Sequence, residues 1–205
     1  MTDYFTLLDE PRRPWLDSDA LKQKFLTLSA QFHPDRSHGK SEAERKAADQ
    51  RFSEINTAYN CLREPKDRLR HLLELELGTK PADIQRVPAE VTETFFEIGR
   101  LCKEADQFLA NRRQVTSPLV KVQWFERGQE QIDRLIQVRQ KIDSRREELL
   151  LELKALNAVW ESRQNNADTK PELSLARLDE IYRLLGYLGR WAEQIQERVV
   201  QLSFD

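Results

Sequence analysis

His33, Asp35 and His38 lie close together in the stretch QFHPDRSHGK, residues 31–40. An imidazole near a carboxylate can do general-base chemistry, and two imidazoles with a carboxylate can hold a metal ion weakly. Either chemistry needs companions. The chain has no glycine-rich phosphate cradle, no Gly-x-Ser-x-Gly elbow and no His-Glu-x-x-His pair. The expectation is therefore a protein that is not an enzyme, with no catalytic residues, no metal and no cofactor. Two readings of the loop remain: a simple helix stop, or a surface that another protein reads.

The elements around the loop must position it in either case. Asp17 is placed to cap a helix whose Leu21, Phe25, Leu28 and Phe32 form one stripe, with Lys22 and Lys24 pointing elsewhere. Pro34 ends that helix, because it disfavours helical dihedrals at His33 and lacks an N–H of its own. SEAE (41–44) is a capping box, and the helix after it carries Ala48, Phe52, Ile55, Tyr59 and Leu62 on one face. Two matching stripes predict an antiparallel hairpin with the quoted stretch as its loop. YFTLL (4–8) precedes it as a short helix closed by Pro11 and Pro14, and a last helix starts at Pro65 and stops at Gly78.

TKPADIQRVP (79–88) reads as a linker, and beyond it the spacing changes. Val91, Phe95, Ile98, Cys102, Ala105 and Leu109 alternate by four and three. A helix restarts at TSP (116–118), with Ser117 as cap. Phe125, Gly128, Ile132, Leu135, Arg139, Ile142, Arg146, Leu149, Leu153, Leu156 and Trp160 hold its heptad register. RQNNADTKP (163–171) breaks the chain, and Leu178, Ile181, Leu185, Leu188, Ala192, Ile195, Val199 and Leu202 repeat the alternation. Three heptad helices predict a three-helix coiled-coil-like bundle. The second, at about 1.5 Å per residue, is longer than the third, so it overhangs or bends near Gly128.

The fold class expected is all-α: residues 1–78, a linker at 79–88, and a bundle over 89–205. Composition agrees, with 39% hydrophobic and 33% charged residues and only six glycines. Lys plus Arg (33) nearly balances Asp plus Glu (35), so no global field favours nucleic acid or an acidic membrane. Cys61 and Cys102 form no Cys-x-x-Cys pair and read as buried free thiols. Without a signal peptide or an apolar membrane-length run, a cytoplasmic location is expected.

The order DYFTLL, QFHPDR, loop, INTAYNCLREP resembles the J-domain over residues 3 to about 77, with that family's His-Pro-Asp motif on His33, Pro34 and Asp35. DYFTLLDEP, RLRHLLELELG and VPAEV are similar to the iron–sulfur assembly co-chaperones of the HscB type. The resemblance implies a J-domain co-chaperone. It would dock on a heat-shock chaperone of the DnaK or HscA type, stimulate its ATP hydrolysis and deliver a client, an iron–sulfur cluster scaffold protein. Asp35 would offer a carboxylate to a partner arginine, His33 would brace the loop or present its ring, and Lys22, Lys24 and Arg36 would steer encounter. Ser29, Ala30 and Gln31 stand where many J-domains are more basic.

The client face implied lies in TFFEIGRLCKE (94–104). Phe95 and Phe96 point about 100° apart. Phe95 keeps the heptad, which leaves Phe96 as the exposed anchor, with Glu97 beside it. Arg100 and Lys103 fall where the HscB type favours acidic side chains. The alternative is a J-domain protein, or a coiled-coil adaptor, with a different client or a homo-oligomeric bundle.

Overall fold

The computed structural model describes residues 2–33, 41–81, 87–112, 118–165 and 171–204. Every regular element among them is helical, as the pattern of stripes predicts. The elements are α1 (Tyr4–Leu7), α2 (Ser18–Gln31), α3 (Glu42–Arg63), α4 (Pro65–Leu77), a 3-10 turn (Ala89–Val91), α5 (Thr92–Arg112), α6 (Pro118–Asn165) and α7 (Pro171–Phe204).

The signals that bound the first four helices are the local ones. Asp3 and Asp17 accept hydrogen bonds from the first free N–H groups of α1 and α2. Ser41 and Glu44 close the capping box of α3. Pro65 begins α4, and Gly78 ends it with φ 70°. One cap is unusual. The N–H groups of Asp9 and Glu10 return to the carbonyls of Thr6 and Phe5, a Schellman closure with Asp9 at φ 55° where glycine is the common choice.

Packing divides the chain into two compact units that do not follow chain order. One joins Met1–Ala82 to Leu150–Tyr182, and the other joins Asp83–Leu149 to Arg183–Asp205. Helices α6 and α7 contribute to both, and α6 runs unbroken through Gly128.

In the first unit α2 and α3 form the hairpin. Phe25 stacks on Tyr59 with ring centroids 4.1 Å apart, and Leu21, Ile55 and Leu62 are buried beside Phe5 and Leu8 of the α1 segment. The end of α6 joins this unit through polar contacts to the chain between α1 and α2. The Trp160 indole N–H donates to the Arg12 carbonyl at 2.8 Å, and the Trp15 N–H donates to Asn157 at 3.3 Å. The Lys154 ammonium lies 5.0 Å from the centre of the Trp15 ring. Arg177 of α7 grips both oxygens of Glu152 at 2.6 and 2.8 Å.

In the second unit α5, the first part of α6 and the end of α7 share a core of Ile98, Leu101, Leu109, Ile132, Leu135, Ile142, Leu188 and Ile195. Arg139, an arginine on the expected seam, is half-buried and donates to Asp143 and to the Ala192 carbonyl at 2.9 Å. Its stem covers apolar surface while its head is bonded. Arg146, the other arginine on the seam, is exposed. Two heptad expectations fail. Phe125 is 61% exposed, while Trp124 packs on Phe108 and Val138 is buried. Phe95 is 39% exposed, with Leu101 in the core instead. A straight helix drifts by about 20° per heptad from a strict 3.5 repeat, so the buried stripe moves off the nominal seam over a helix of this length.

Candidate functional site

His33 stands just beyond the cap of α2, whose Phe32 N–H still bonds the Leu28 carbonyl at 3.3 Å. Its ring meets Phe52 of α3 edge-on, with centroids 5.7 Å apart and planes at 82°. The loop therefore starts with its histidine against the opposite arm of the hairpin. Pro34, Asp35, Arg36 and His38 lie outside the described residues.

The two lysines expected on this surface differ. Lys22 is exposed. Lys24 bonds the Asp9 carbonyl and the Glu10 carboxylate, the latter at 2.9 Å. It braces the Schellman closure of α1 from α2 and is committed inside the unit.

Two buried polar side chains on α4 hold the hairpin's base. Arg68 donates to the carbonyls of Pro14 (2.9 Å) and Leu62 (2.8 Å). Burial lowers its pKa to about 10, which leaves it charged at neutral pH. His71 accepts the Tyr4 N–H on Nε2 at 3.0 Å and stacks on the Tyr4 ring at 4.4 Å. Burial holds His71 below its ordinary pKa, so the neutral ring that accepts this bond is favoured. Asp3 at the α1 cap is held low: burial opposes, but the bonds from Thr6 and Arg12 outweigh it. The Cys61 thiol is pushed up to about 11, chiefly by burial, and is not a reactive thiolate.

On α5, Phe96 is 68% exposed, as its place off the heptad predicts. Phe95 leans on Trp191 at 5.9 Å and on Phe96 at 5.4 Å, so the pair forms one aromatic pad. Glu97, expected beside them, receives both its hydrogen bonds from Lys141 of α6, each 3.0 Å. Its neighbours one heptad away are engaged likewise: Glu90 pairs with Arg145, and Glu104 with Arg134 at 2.7 Å.

Among the described residues no cluster of three His, Cys, Asp or Glu side chains could hold a metal ion, and no helix is long and apolar enough to cross a membrane.

The His-Pro-Asp sequence lies between the two stacked helices α2 and α3, and the chain around α1 and α4 is tied to this hairpin by His71 and Arg68. Residues 3–71 match the model of the DnaJ domain. The chain carries a J-domain. Its match extends beyond that domain in structure. Chaperone HscB from Vibrio cholerae is similar with a TM-score of 0.60 and 22% identity, over 97% of this chain and 99% of that one. Human co-chaperone protein HscB gives a TM-score of 0.60 and 18% identity, over 96% of this chain and 82% of that one. The J-domain and the HscB fold read from the sequence are thus both borne out.

Some of what supports the J-domain escaped the sequence. Trp160 stood on a heptad, but its partner at Arg12 is far away in the chain, and Trp15 and Asn157 gave no signal. The carboxylates of the 3-10 turn and α5 did leave one: Glu90, Glu97 and Glu104 are spaced by seven, and Arg134, Lys141 and Arg145 run opposite on α6.

Proposed function

We propose that this J-domain protein is a co-chaperone of a DnaK/HscA-type heat-shock chaperone. It docks through His33, Pro34, Asp35 and Arg36 with Lys22 alongside, stimulates ATP hydrolysis by its partner, and delivers a client held by the bundle. The observation that carries the reading is the His-Pro-Asp sequence between the two helices of the hairpin, within a matched DnaJ domain. Proline fixes the exit from α2, and an acceptor-only carboxylate beside it suits a bidentate arginine. Lys24 serves the docking surface indirectly, by holding the turn after α1 against α2. Residues 1–78 supply docking, 79–88 the linker, and 89–205 the client or oligomerisation surface, in the cytoplasm.

The likeness to HscB over nearly the whole chain supports an iron–sulfur cluster scaffold protein as the client. Phe95 and Phe96 are its contact, and Glu97 flanks them. A second reading, a different client, draws support from Arg100 and Lys103, which put cations on the same face.

The test is single-turnover ATP hydrolysis by the cognate chaperone with the protein added. Stimulation is expected, and Asp35→Asn is expected to abolish it while the helical circular dichroism stays unchanged. Stimulation by Asp35→Asn equal to wild type would remove Asp35 from the docking role. For the client, the purified scaffold protein should bind, and Phe96→Ala should weaken it by about 1–3 kcal/mol.

A further inference from the structure

The outward face of α5 has a charge that its composition conceals. At about 100° per residue, Glu93, Phe96, Arg100, Lys103 and Gln107 share one stripe, and all are exposed. The other acids of α5 are engaged on its flanks. Glu97 and Glu104 face cations of α6, as does Glu90 of the preceding 3-10 turn, and Asp106 accepts from Arg198 of α7 at 2.9 Å. Arg100 does bond Glu104, at 2.7 Å, but that carboxylate is already shared with Arg134, so the triad keeps a net positive charge. Lys103 has no ion pair among the described residues. Glu93 is the stripe's one carboxylate without such a pair among them, and it lies on the N-terminal side of Phe96.

The aromatic pad is prepared for contact. Phe95 rests on Trp191, which packs on Tyr187 at 5.4 Å, and this support fixes the ring beside Phe96. An exposed aromatic on a rigid base loses little entropy when covered, which is what makes such residues interface anchors.

We infer that the α5 face takes an acidic amphipathic segment of the client, with an apolar side chain on Phe95 and Phe96 and carboxylates on Arg100 and Lys103. At about 1.5 Å of rise per residue, those carboxylates lie roughly 6–10 Å along the helix from the apolar contact. The inference rests on the reading of α5 as the client face and adds the chemistry of what binds there. Long-range attraction between such a segment and the two cations speeds encounter and rejects basic partners.

The experiment uses the full-length protein and two labelled amphipathic peptides with the same apolar face. One carries glutamates, the other lysines, at the fourth and seventh positions after its central leucine. Fluorescence anisotropy at low ionic strength should show the acidic peptide binding about tenfold tighter or more, a gap that closes near 1 M salt. The double variant R100E/K103E should reverse the order. Equal binding, tighter binding of the basic peptide, no binding of either, or an order that survives the double variant would overturn the inference. So would a dimer in sedimentation equilibrium that F96A dissociates, because a second copy would then cover the face.

Scaffold binding, measured in parallel with F96A, separates the two ideas. Scaffold binding lost in F96A without any peptide preference leaves the client face standing and removes its acidic partner. A peptide preference with no scaffold binding keeps the acidic partner and removes the scaffold.

Discussion

The two compact units differ in the balance of bonds that hold each together. In the first, buried or half-buried side chains reach backbone groups far away in sequence: Arg68 to Pro14, His71 to Tyr4, Trp160 to Arg12 and Asn157 to Trp15. In the second, the ties between helices are mostly side-chain ion pairs on the rim: Glu90 with Arg145, Glu97 with Lys141, Glu104 with Arg134 and Asp106 with Arg198. A buried bond to a backbone group is costly to break, because it strands an acceptor or donor without water. A rim ion pair contributes little and is screened by salt. The J-domain hairpin gains from the first kind of support, which fixes the chain around it. A bundle already packed by heptads needs the second kind mainly to set which helix faces pair.

The largest expected effect tests the first half of that contrast. Arg68→Ala leaves the Pro14 and Leu62 carbonyls unbonded and should cost about 3 kcal/mol, read as a lower urea midpoint. A loss below about 1 kcal/mol would mean that water replaces the guanidinium and that the latch is not structural.

Next comes pH. The folded pKa of His71 is depressed, so the unfolded chain binds its proton more readily and stability rises with pH. The contribution is complete above the ordinary value of 6.5 and is lost as pH falls below it. Protonation also turns Nε2 into a donor facing the Tyr4 N–H. Thermal melts should show the J-domain losing stability as the buffer is acidified through this range, and His71→Gln should flatten that dependence. An unchanged slope in the variant would assign it elsewhere.

Salt sharpens the second half. Raising the salt to about 1 M should cost the second unit only tenths of a kcal/mol per pair. Amide exchange of α5 should therefore quicken slightly, with α4 unaffected. Equal quickening in both helices would erase the distinction between the units.

The smallest effect concerns the α1 closure. Asp9→Gly relieves a left-handed residue and should add about 0.5–1 kcal/mol. A loss instead would show that the Asp9 side chain matters more than its backbone.

The J-domain's helix boundaries were legible because their causes are local. Asp17, Ser41 with Glu44, Pro65 and Gly78 act within one turn, so each could be read from neighbouring letters. The end of α2 at Gln31 was legible for the same reason: proline after a stripe ends a helix wherever it occurs. Phe125 and Phe95 were misread because a heptad assigns faces from spacing alone. The real stripe follows 3.6 residues per turn and whatever side chains the neighbouring helices offer.

What the sequence by itself determined is the helical class, the pairing of α2 with α3 on either side of His33 and the exposed Phe96. These follow from periodicity and capping, which are properties of a chain with its near neighbours. The tertiary structure alone decided that the end of α6 joins the unit containing the J-domain. It also paired Lys24 with Glu10 and set Glu97 and Glu104 against α6, leaving Arg100 and Lys103 exposed. Each of those outcomes depends on which distant group lies within hydrogen-bonding reach, and that distance exists only once the helices have packed.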